Sequence, residues 1–221
     1  MSGALAVIFD CDGTLVDSEP LARRAWQRSL DPHSYSIRDE EYADLIGLPF
    51  PRVHAYFAGR IAGLEEPGAF WEGYSGTLFE LIDAELEPFP DALETVRALR
   101  AAGVAVAVAS SSVRERLDRT LLRAGLASAF GVSVAGDEVE HGKPAPDMFL
   151  AAAARLGADP DRCVVVEDSE PGVAAGRAAG MRTVGVARAP GDAAALAGAH
   201  LVLARLSAEA VLGVPHEQRQ A

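Results

Sequence analysis

The apolar run Leu5 to Phe9 leads straight into Asp10-Cys11-Asp12-Gly13-Thr14-Leu15-Val16-Asp17-Ser18. Where a strand ends in Asp-x-Asp, the carboxylates of Asp10 and Asp12 can point the same way, and Gly13 permits the backbone angles that turn the second back toward the first. Crowded carboxylates repel, so either one is protonated or a cation sits between them. An oxygen-lined site of this charge suits Mg2+. Alone, Asp-x-Asp is more often a plain Asx-rich turn; three other segments change the balance. Ser110-Ser111-Ser112 follows a second apolar run. Ser110 falls where a hydroxyl can hold a phosphate oxygen, and the next helix begins with backbone N–H groups aimed the same way. Ser112 and Glu115 have capping-box spacing, which predicts the start of that helix; capping explains Ser112, and Ser111 less well, but leaves Ser110 over. His141-Gly142-Lys143-Pro144-Ala145-Pro146-Asp147 braces a lysine between Gly and Pro, where it can serve as a fixed counter-ion. Val164-Val165-Val166-Glu167-Asp168-Ser169 carries two adjacent acids to a strand end, and Ser169 and Pro171 open the following helix.

The elements that must position these residues follow from hydrophobic periodicity. Ala4–Phe9, Val104–Ala109, Val132–Ala135, Cys163–Val166 and Thr183–Ala187 read as buried strands, with a sixth at Leu201–Ala204. Helical spacing recurs over Asp91–Ala102, Ser112–Ala124, Asp147–Leu156 and Gly172–Ala179. Strand alternating with helix implies an α/β fold, a doubly wound parallel (Rossmann-like) sheet covered on both sides. The polar tail ending Gln218–Ala221 is expected to fray. From about Asp17 to Glu87 no strand appears. Leu21–Leu30, Asp39–Ile46, Arg52–Ile61 and Gly68–Ala84 read instead as helices rich in aromatic residues. This predicts an all-helical domain over residues 17–87, inserted after the first strand into a core of residues 1–16 and 88–221. An insertion at that point belongs over the carboxyl ends of the strands, as a lid. The aromatic residues of this insertion read as its own small core.

Composition bounds the function. The chain has 221 residues and a formal net charge of −12, which argues against general nucleic-acid or anionic-membrane binding. A locally positive pocket can still bind phosphate. Cys11 and Cys163 are too few for a disulfide framework; both read as core thiols. No membrane-length apolar span or signal-like leader is apparent, so a cytoplasmic protein is expected. His141 and Asp137 read as surface-loop and turn residues.

In order and spacing, Asp10-x-Asp12-Gly13-Thr14-Leu15-x-Asp17-Ser18, Gly142-Lys143-Pro144-x-Pro146 and Glu167-Asp168-Ser169-x-x-Gly172 resemble the motifs of the haloacid dehalogenase superfamily. The resemblance runs from Val7 to about Ala187 and is to the hydrolases with a helical cap after the first strand, a subgroup that includes β-phosphoglucomutase and small sugar-phosphate phosphatases. It implies that Asp10 attacks phosphorus and forms an aspartyl-phosphate, and that Asp12 protonates the leaving oxygen and then serves as base toward water. It implies Mg2+ bound by Asp10, Asp12 (through its backbone carbonyl) and Asp168, with Glu167 either a ligand or an acceptor that orients bound water. Ser110, Ser111 and Lys143 would hold the transferring phosphoryl group. An Asp at position 12 implies phosphoryl transfer to water or a sugar hydroxyl, not dehalogenation.

The expected function is a Mg2+-dependent phosphatase acting on a small phosphomonoester, a sugar phosphate or sugar-acid phosphate, as a monomer. The alternative is a sugar phosphomutase of the β-phosphoglucomutase type. More remote is a non-catalytic phospho-ligand-binding protein, which would be expected to lack Asp10, Asp12 or Asp168. In the mutases that the chain resembles, an arginine follows a Gly-centred loop of the cap. Here that loop reads Gly47-Leu48-Pro49-Phe50-Pro51-Arg52, with Phe50 at the arginine's place and Arg52 two positions on. Phe50 and Arg52 are therefore the candidate specificity residues; with Glu72 near the place of a later cap lysine and Ala22 in place of a histidine, the three departures from the mutase pattern favour hydrolysis.

Overall fold

The computed structural model describes residues 5–214; Ala4 and the tail ending Gln218–Ala221 lie outside them. Six strands form one sheet: β1 (Ala6–Phe9), β2 (Ala105–Ala109), β3 (Val132–Val134), β4 (Cys163–Glu167), β5 (Arg182–Val186) and β6 (Leu201–Leu203). Their spatial order is β3-β2-β1-β4-β5-β6, and every neighbouring pair is parallel. The central strands β1 and β4 are buried along their whole length, which is why they read as unbroken apolar runs. Chain order proceeds from β1 outward to β3 and then returns to the other side of β1 at β4. That reversal puts the switch point, where open α/β sheets bind ligands, beside β1.

Helices α1 (Glu19–Leu30), α2 (Asp39–Ala43), α3 (Phe50–Ala58) and α4 (Pro67–Glu85) come next after β1, followed by α5 (Pro90–Ala101), α6 (Arg114–Arg123), α7 (Asp147–Leu156), α8 (Glu170–Ala178), α9 (Asp192–Ala195) and α10 (Ala208–Leu212). One core cluster joins Ala6 and Ile8 of β1, Ala107 and Ala109 of β2 and Cys163 and Val165 of β4 to Met148, Phe149, Ala152 and Ala153 of α7. The period of two along each strand and of three to four along the helix are those of a sheet face covered by a helix. Among the described residues no helix is long and apolar enough to cross a membrane.

The chain divides into two compact units, one running up to Asp17 and on from Glu87, the other Ser18–Leu86. The second is all-helical. In it α1 packs along α4, and Trp26 lies at the centre of an aromatic cluster, with ring centroids 4.4 Å from Tyr74, 5.5 Å from Phe70 and 5.6 Å from both Phe50 and Phe57. The segments that leave and re-enter the first unit pair with each other: the Phe89 amide donates to the Leu15 carbonyl at 2.9 Å and the Asp17 amide to the Glu87 carbonyl at 3.3 Å.

Two local expectations need correction. Helix α6 begins at Arg114, with Val113 as its N-cap and no side-chain cap from Ser112. Ser112 Oγ instead donates to Asp12 Oδ2 at 2.8 Å, because a carboxylate is the stronger acceptor for that hydroxyl. Asp137 takes over part of the capping, accepting the Arg114 amide at 3.0 Å. In the other unit, the helix expected from Arg52 already begins at Phe50, within the stretch read as a loop up to Pro51, with Pro49 as N-cap and Pro51 in the first turn. Proline suits that turn, where its missing N–H has no intrahelical partner to lose.

Candidate active site

Register brings the chemistry to one edge of the sheet. Phe9 pairs with Val108 on one side and Val166 on the other, and the Asp10 amide donates to the Val166 carbonyl at 2.9 Å. Just past this level the strands release Asp10 from β1, Ser110 from β2, and Glu167 and Asp168 from β4. Oxygens of Asp10, Glu167 and Asp168 lie within 4.8 Å of one another.

Lys143 closes the group from the loop before α7. Its ammonium donates to Asp10 Oδ1, to Glu167 Oε1 at 2.8 Å and to the Ala109 carbonyl at 3.2 Å. The peptide joining it to Pro144 is cis. The second oxygen of Glu167 accepts the amide and hydroxyl of Ser169, at 2.7 and 2.8 Å, and Ser169 Oγ in turn caps α8 by accepting the Gly172 amide. Both ends of Glu167 are thus fixed, and a Cβ at Gly172 would fall 1.7 Å from its Oε1. Asp168 accepts the Thr14 hydroxyl at 3.0 Å. Gly13 has φ +83°, and a Cβ there would lie 2.0 Å from Asp168 Oδ2, so glycine is required for both torsion and space.

The carboxylate of Asp12 is outside this acidic group. It accepts Ser112 Oγ at 2.8 Å, Ser110 Oγ at 3.3 Å and Arg116 Nη2 at 2.7 Å. Two carboxylates only two residues apart therefore sit in different surroundings, one against an ammonium and two other acids, the other against two hydroxyls and a guanidinium. Ser110 is buried and its oxygen also accepts the Ser112 amide at 3.1 Å. Ser111 is exposed, and its backbone carbonyl presses so close to Gly136 that a Cβ there would be 2.3 Å away. Phe50 and Arg52 belong to the helical unit. The Phe50 ring lies 4.8 Å from Trp71 and 5.6 Å from Trp26, within the aromatic cluster, and Arg52 is exposed. Cys11 is fully buried, and burial followed by the negative charges of Asp12 and Asp10 pushes its thiol well up.

Electrostatics follow from geometry. Burial raises the Asp10 pKa well above the ordinary value; Lys143 pulls it down, while Glu167 and Asp168 push it further up. Asp168 is raised to about 7, first by burial and then by Glu167, against the opposing Thr14 hydroxyl and Lys143. Burial works against the Lys143 ammonium, but Asp10 and Glu167 more than restore it, so it stays charged. Three carboxylates meet one ammonium, an excess of negative charge that a divalent cation would balance. The donors are all oxygen, the set that Mg2+ prefers.

Two neighbours of the site go unnoticed in the sequence. Arg116 holds Asp12 from the first turn of α6, and a lone arginine there carries no signal in the sequence that sets it apart from a solvated helix charge. Thr14 is visible as part of the first motif, but its bond to Asp168 spans 154 residues and has no local signature.

The family model for haloacid dehalogenase-like hydrolases matches residues 5–180. The chain is 36% identical over 183 residues to fructose-1-phosphate phosphatase YqaB of Escherichia coli, covering 81% of this chain and 95% of that one. It is 31% identical over 214 residues to the phosphorylated carbohydrates phosphatase of Thermotoga maritima, covering 96% and 98%. By contrast, it spans only 18% of the Arabidopsis thaliana protein Suppressor of Quenching 1, to which it is 38% identical over 82% of its own length. Among solved structures, one from Thermotoga maritima, provisionally named a β-phosphoglucomutase, superposes with a TM-score of 0.79 at 28% identity over 97% of this chain and 98% of that one. A family match of this extent, on a parallel sheet with a helical unit inserted after its first strand, makes the chain a member of the haloacid dehalogenase-like hydrolases.

Proposed function

We propose that the protein is a Mg2+-dependent phosphatase of small phosphomonoesters, sugar phosphates or sugar-acid phosphates, working through an aspartyl-phosphate on Asp10. The observation that carries this reading is the unlike treatment of Asp10 and Asp12. Asp10 is buried against Lys143 beside Glu167 and Asp168, as a nucleophile held by a counter-ion would be. Asp12, two residues along the same loop, is not a member of that group and bonds Ser110, Ser112 and Arg116. Pairs of carboxyl groups in contrasting environments are how one site supplies a nucleophile and a proton carrier.

In the first half-reaction an Asp10 oxygen bonds to phosphorus as the ester P–O bond breaks, and the departing alkoxide takes a proton from Asp12. In the second, water attacks the same phosphorus while giving a proton to Asp12; the Asp10–phosphorus bond breaks, releasing inorganic phosphate and restoring both carboxyl groups. Lys143 favours the anionic form of Asp10 against its burial and shares the charge of the phosphoryl oxygens, and Ser110 and Ser111 supply neutral donors to them. Asp10, Asp168 and the Asp12 backbone carbonyl would hold Mg2+, with Glu167 as a further ligand or as the acceptor that orients its water. The metal supplies positive charge that offsets the repulsion between a carboxylate and a dianionic ester.

Phosphorylated sugars are favoured as substrates because two relatives matched over nearly all of their own length are named for fructose 1-phosphate and phosphorylated carbohydrates. Phe50 and Arg52 are the proposed specificity residues. Phosphate release from a panel of sugar phosphates and sugar-acid phosphates, with and without Mg2+, tests the reading; no Mg2+-dependent release from any member would end it. Arg52→Ala should raise KM for the preferred sugar phosphate while leaving that for an aryl phosphate in place. The likeness to the provisionally named β-phosphoglucomutase, together with an exposed Arg52 that could grip a distal phosphate, supports the mutase as second reading. Conversion of glucose 1-phosphate to glucose 6-phosphate without net phosphate release would establish it.

A further inference from the structure

Arg188 lies just past β5 and touches none of the acidic residues of the cluster, yet every nitrogen of its guanidinium is engaged. Nη1 donates to both oxygens of Asp91, at 2.9 Å each, Nη2 to the Thr14 carbonyl at 2.6 Å, and Nε to the Gly13 carbonyl at 3.3 Å. The guanidinium lies 3.9 Å over the Phe89 ring. Asp91, at the start of α5, is itself fixed, its oxygens accepting the Leu206 amide at 2.7 Å and the Ala92 amide at 2.9 Å. Arg188 and Asp91 side chains are 16% and 7% exposed, too enclosed to be a solvated surface pair.

The two carbonyls that Arg188 holds belong to the two residues that shape the position of Asp168. Gly13 lies so close to Asp168 that no Cβ fits between them, and the Thr14 hydroxyl donates to its Oδ1. A shift of the Gly13-Thr14 peptide therefore moves a partner of Asp168 directly. We propose that Arg188, oriented by Asp91, is a positioning residue: it fastens the loop after Asp12 so that Thr14 holds Asp168 where a divalent cation is bound. This rests on the phosphatase reading for its catalytic consequence but not for its metal consequence. The guanidinium is suited to the task because its rigid fork reaches a carboxylate and two carbonyls at once, which an ammonium cannot do.

The test compares the wild type with Arg188→Lys, Arg188→Met and Asp91→Asn. Arg114→Met serves as the control, since it removes a comparable set of bonds, to Asp118, Glu138 and Ser133, none of which bonds Gly13, Thr14 or Asp168. Mn2+ affinity is read directly, without substrate, from loss of the free-ion electron paramagnetic resonance signal; kcat and KM are read with an aryl phosphate in saturating Mg2+; folding is read by circular dichroism. Loss of a group that orients a metal ligand typically weakens affinity or activity by about 10–100-fold. Arg188→Met and Asp91→Asn should accordingly weaken Mn2+ binding roughly tenfold and lower kcat by a similar factor, with KM moving by less than about threefold. Arg188→Lys, which keeps the charge and folds more securely, should recover only part of both. Arg114→Met should lose stability alone. Unchanged Mn2+ affinity in folded Arg188→Lys and Asp91→Asn overturns the proposal, as does full recovery by lysine. A wild type that releases no phosphate refutes the phosphatase reading instead, and Mn2+ affinity then still decides the role of Arg188.

Discussion

The core and the helical unit each bury carboxylates, and they treat them in opposite ways. In the helical unit Glu41 is 5% exposed and would be raised by burial, but the hydroxyls of Tyr35 and Tyr56 and the Arg38 amide hold its pKa below the ordinary value. Arg38 and Arg60 face it at 4.0 Å. The charge is answered from within the unit, and nothing is left for a ligand to do. At the edge of the sheet, Asp10 and Asp168 stay well above the ordinary value despite Lys143. That cluster is short of positive charge even though each of its members is bonded. An acid raised by burial and then by other acids marks a place built for something that arrives, whereas one lowered by its neighbours marks a structural joint.

The largest effect that can break this contrast is on turnover. Asp10→Asn removes the proposed nucleophile while keeping shape, and kcat should fall by at least about 10³-fold, as when one member of a catalytic unit is lost. Asp12→Asn should also cut turnover severely, since the amide can carry no proton to the leaving oxygen, yet leave Mn2+ affinity nearly intact because its carboxylate stands outside the cluster. A large loss of Mn2+ affinity in Asp12→Asn, measured by resonance titration, would show that the two acids are not divided as the geometry divides them.

Stability against pH sharpens the contrast next. Asp168 has a folded pKa of about 7 against an ordinary 3.8, so folding favours its protonated form. Its contribution is fully present below about pH 4 and is lost as pH rises through 7. Glu41, held below its ordinary 4.5, behaves in the reverse sense: its contribution is present above that value and lost as pH falls through the lowered one. In a chelator, thermal unfolding should therefore show Tm declining from pH 5 toward 8, and Asp168→Asn should flatten that decline. Saturating Mg2+ should remove it as well, because a cation that binds only the folded state raises stability by mass action. A decline of the same size in Mg2+, in chelator and in Asp168→Asn would mean that the cluster does not govern it.

How much of this is legible in the sequence depends on how local the cause is. Asp10, Glu167 and Asp168 stand at the ends of strands buried on both faces, and such strands read as continuous apolar runs, so both the strands and the acids at their tips can be located. Lys143 is legible because the prolines that follow it mark its loop. Partnership across the chain is not: Arg188 meets Thr14 across 174 residues, and no periodicity records that. Local patterns also mislead where a stronger partner competes. Ser112 and Glu115 have the spacing of a cap, but Asp12 takes the serine and Glu115 pairs with Arg119 instead. Pro49 and Pro51 look like a loop and are the N-cap and a first-turn residue of α3.

The smallest effect belongs to the helical unit, and it is the most specific test of the contrast. Glu41→Gln keeps volume and one carbonyl acceptor but removes the charge that Tyr35, Tyr56, Arg38 and Arg60 converge upon. Both hydroxyls then lose their charged acceptor, and two arginines face each other's field without this counter-ion. Hydrogen bonds to a charged group contribute about 1.5–3 kcal/mol, so urea unfolding should register a loss of that order. Mn2+ affinity should not move, because Glu41 belongs to a different unit from the acids at the sheet edge. If Glu41→Gln proved stabilising, its burial would be as strained as that of Asp168, and a raised or lowered pKa would no longer separate a joint from a site in this protein.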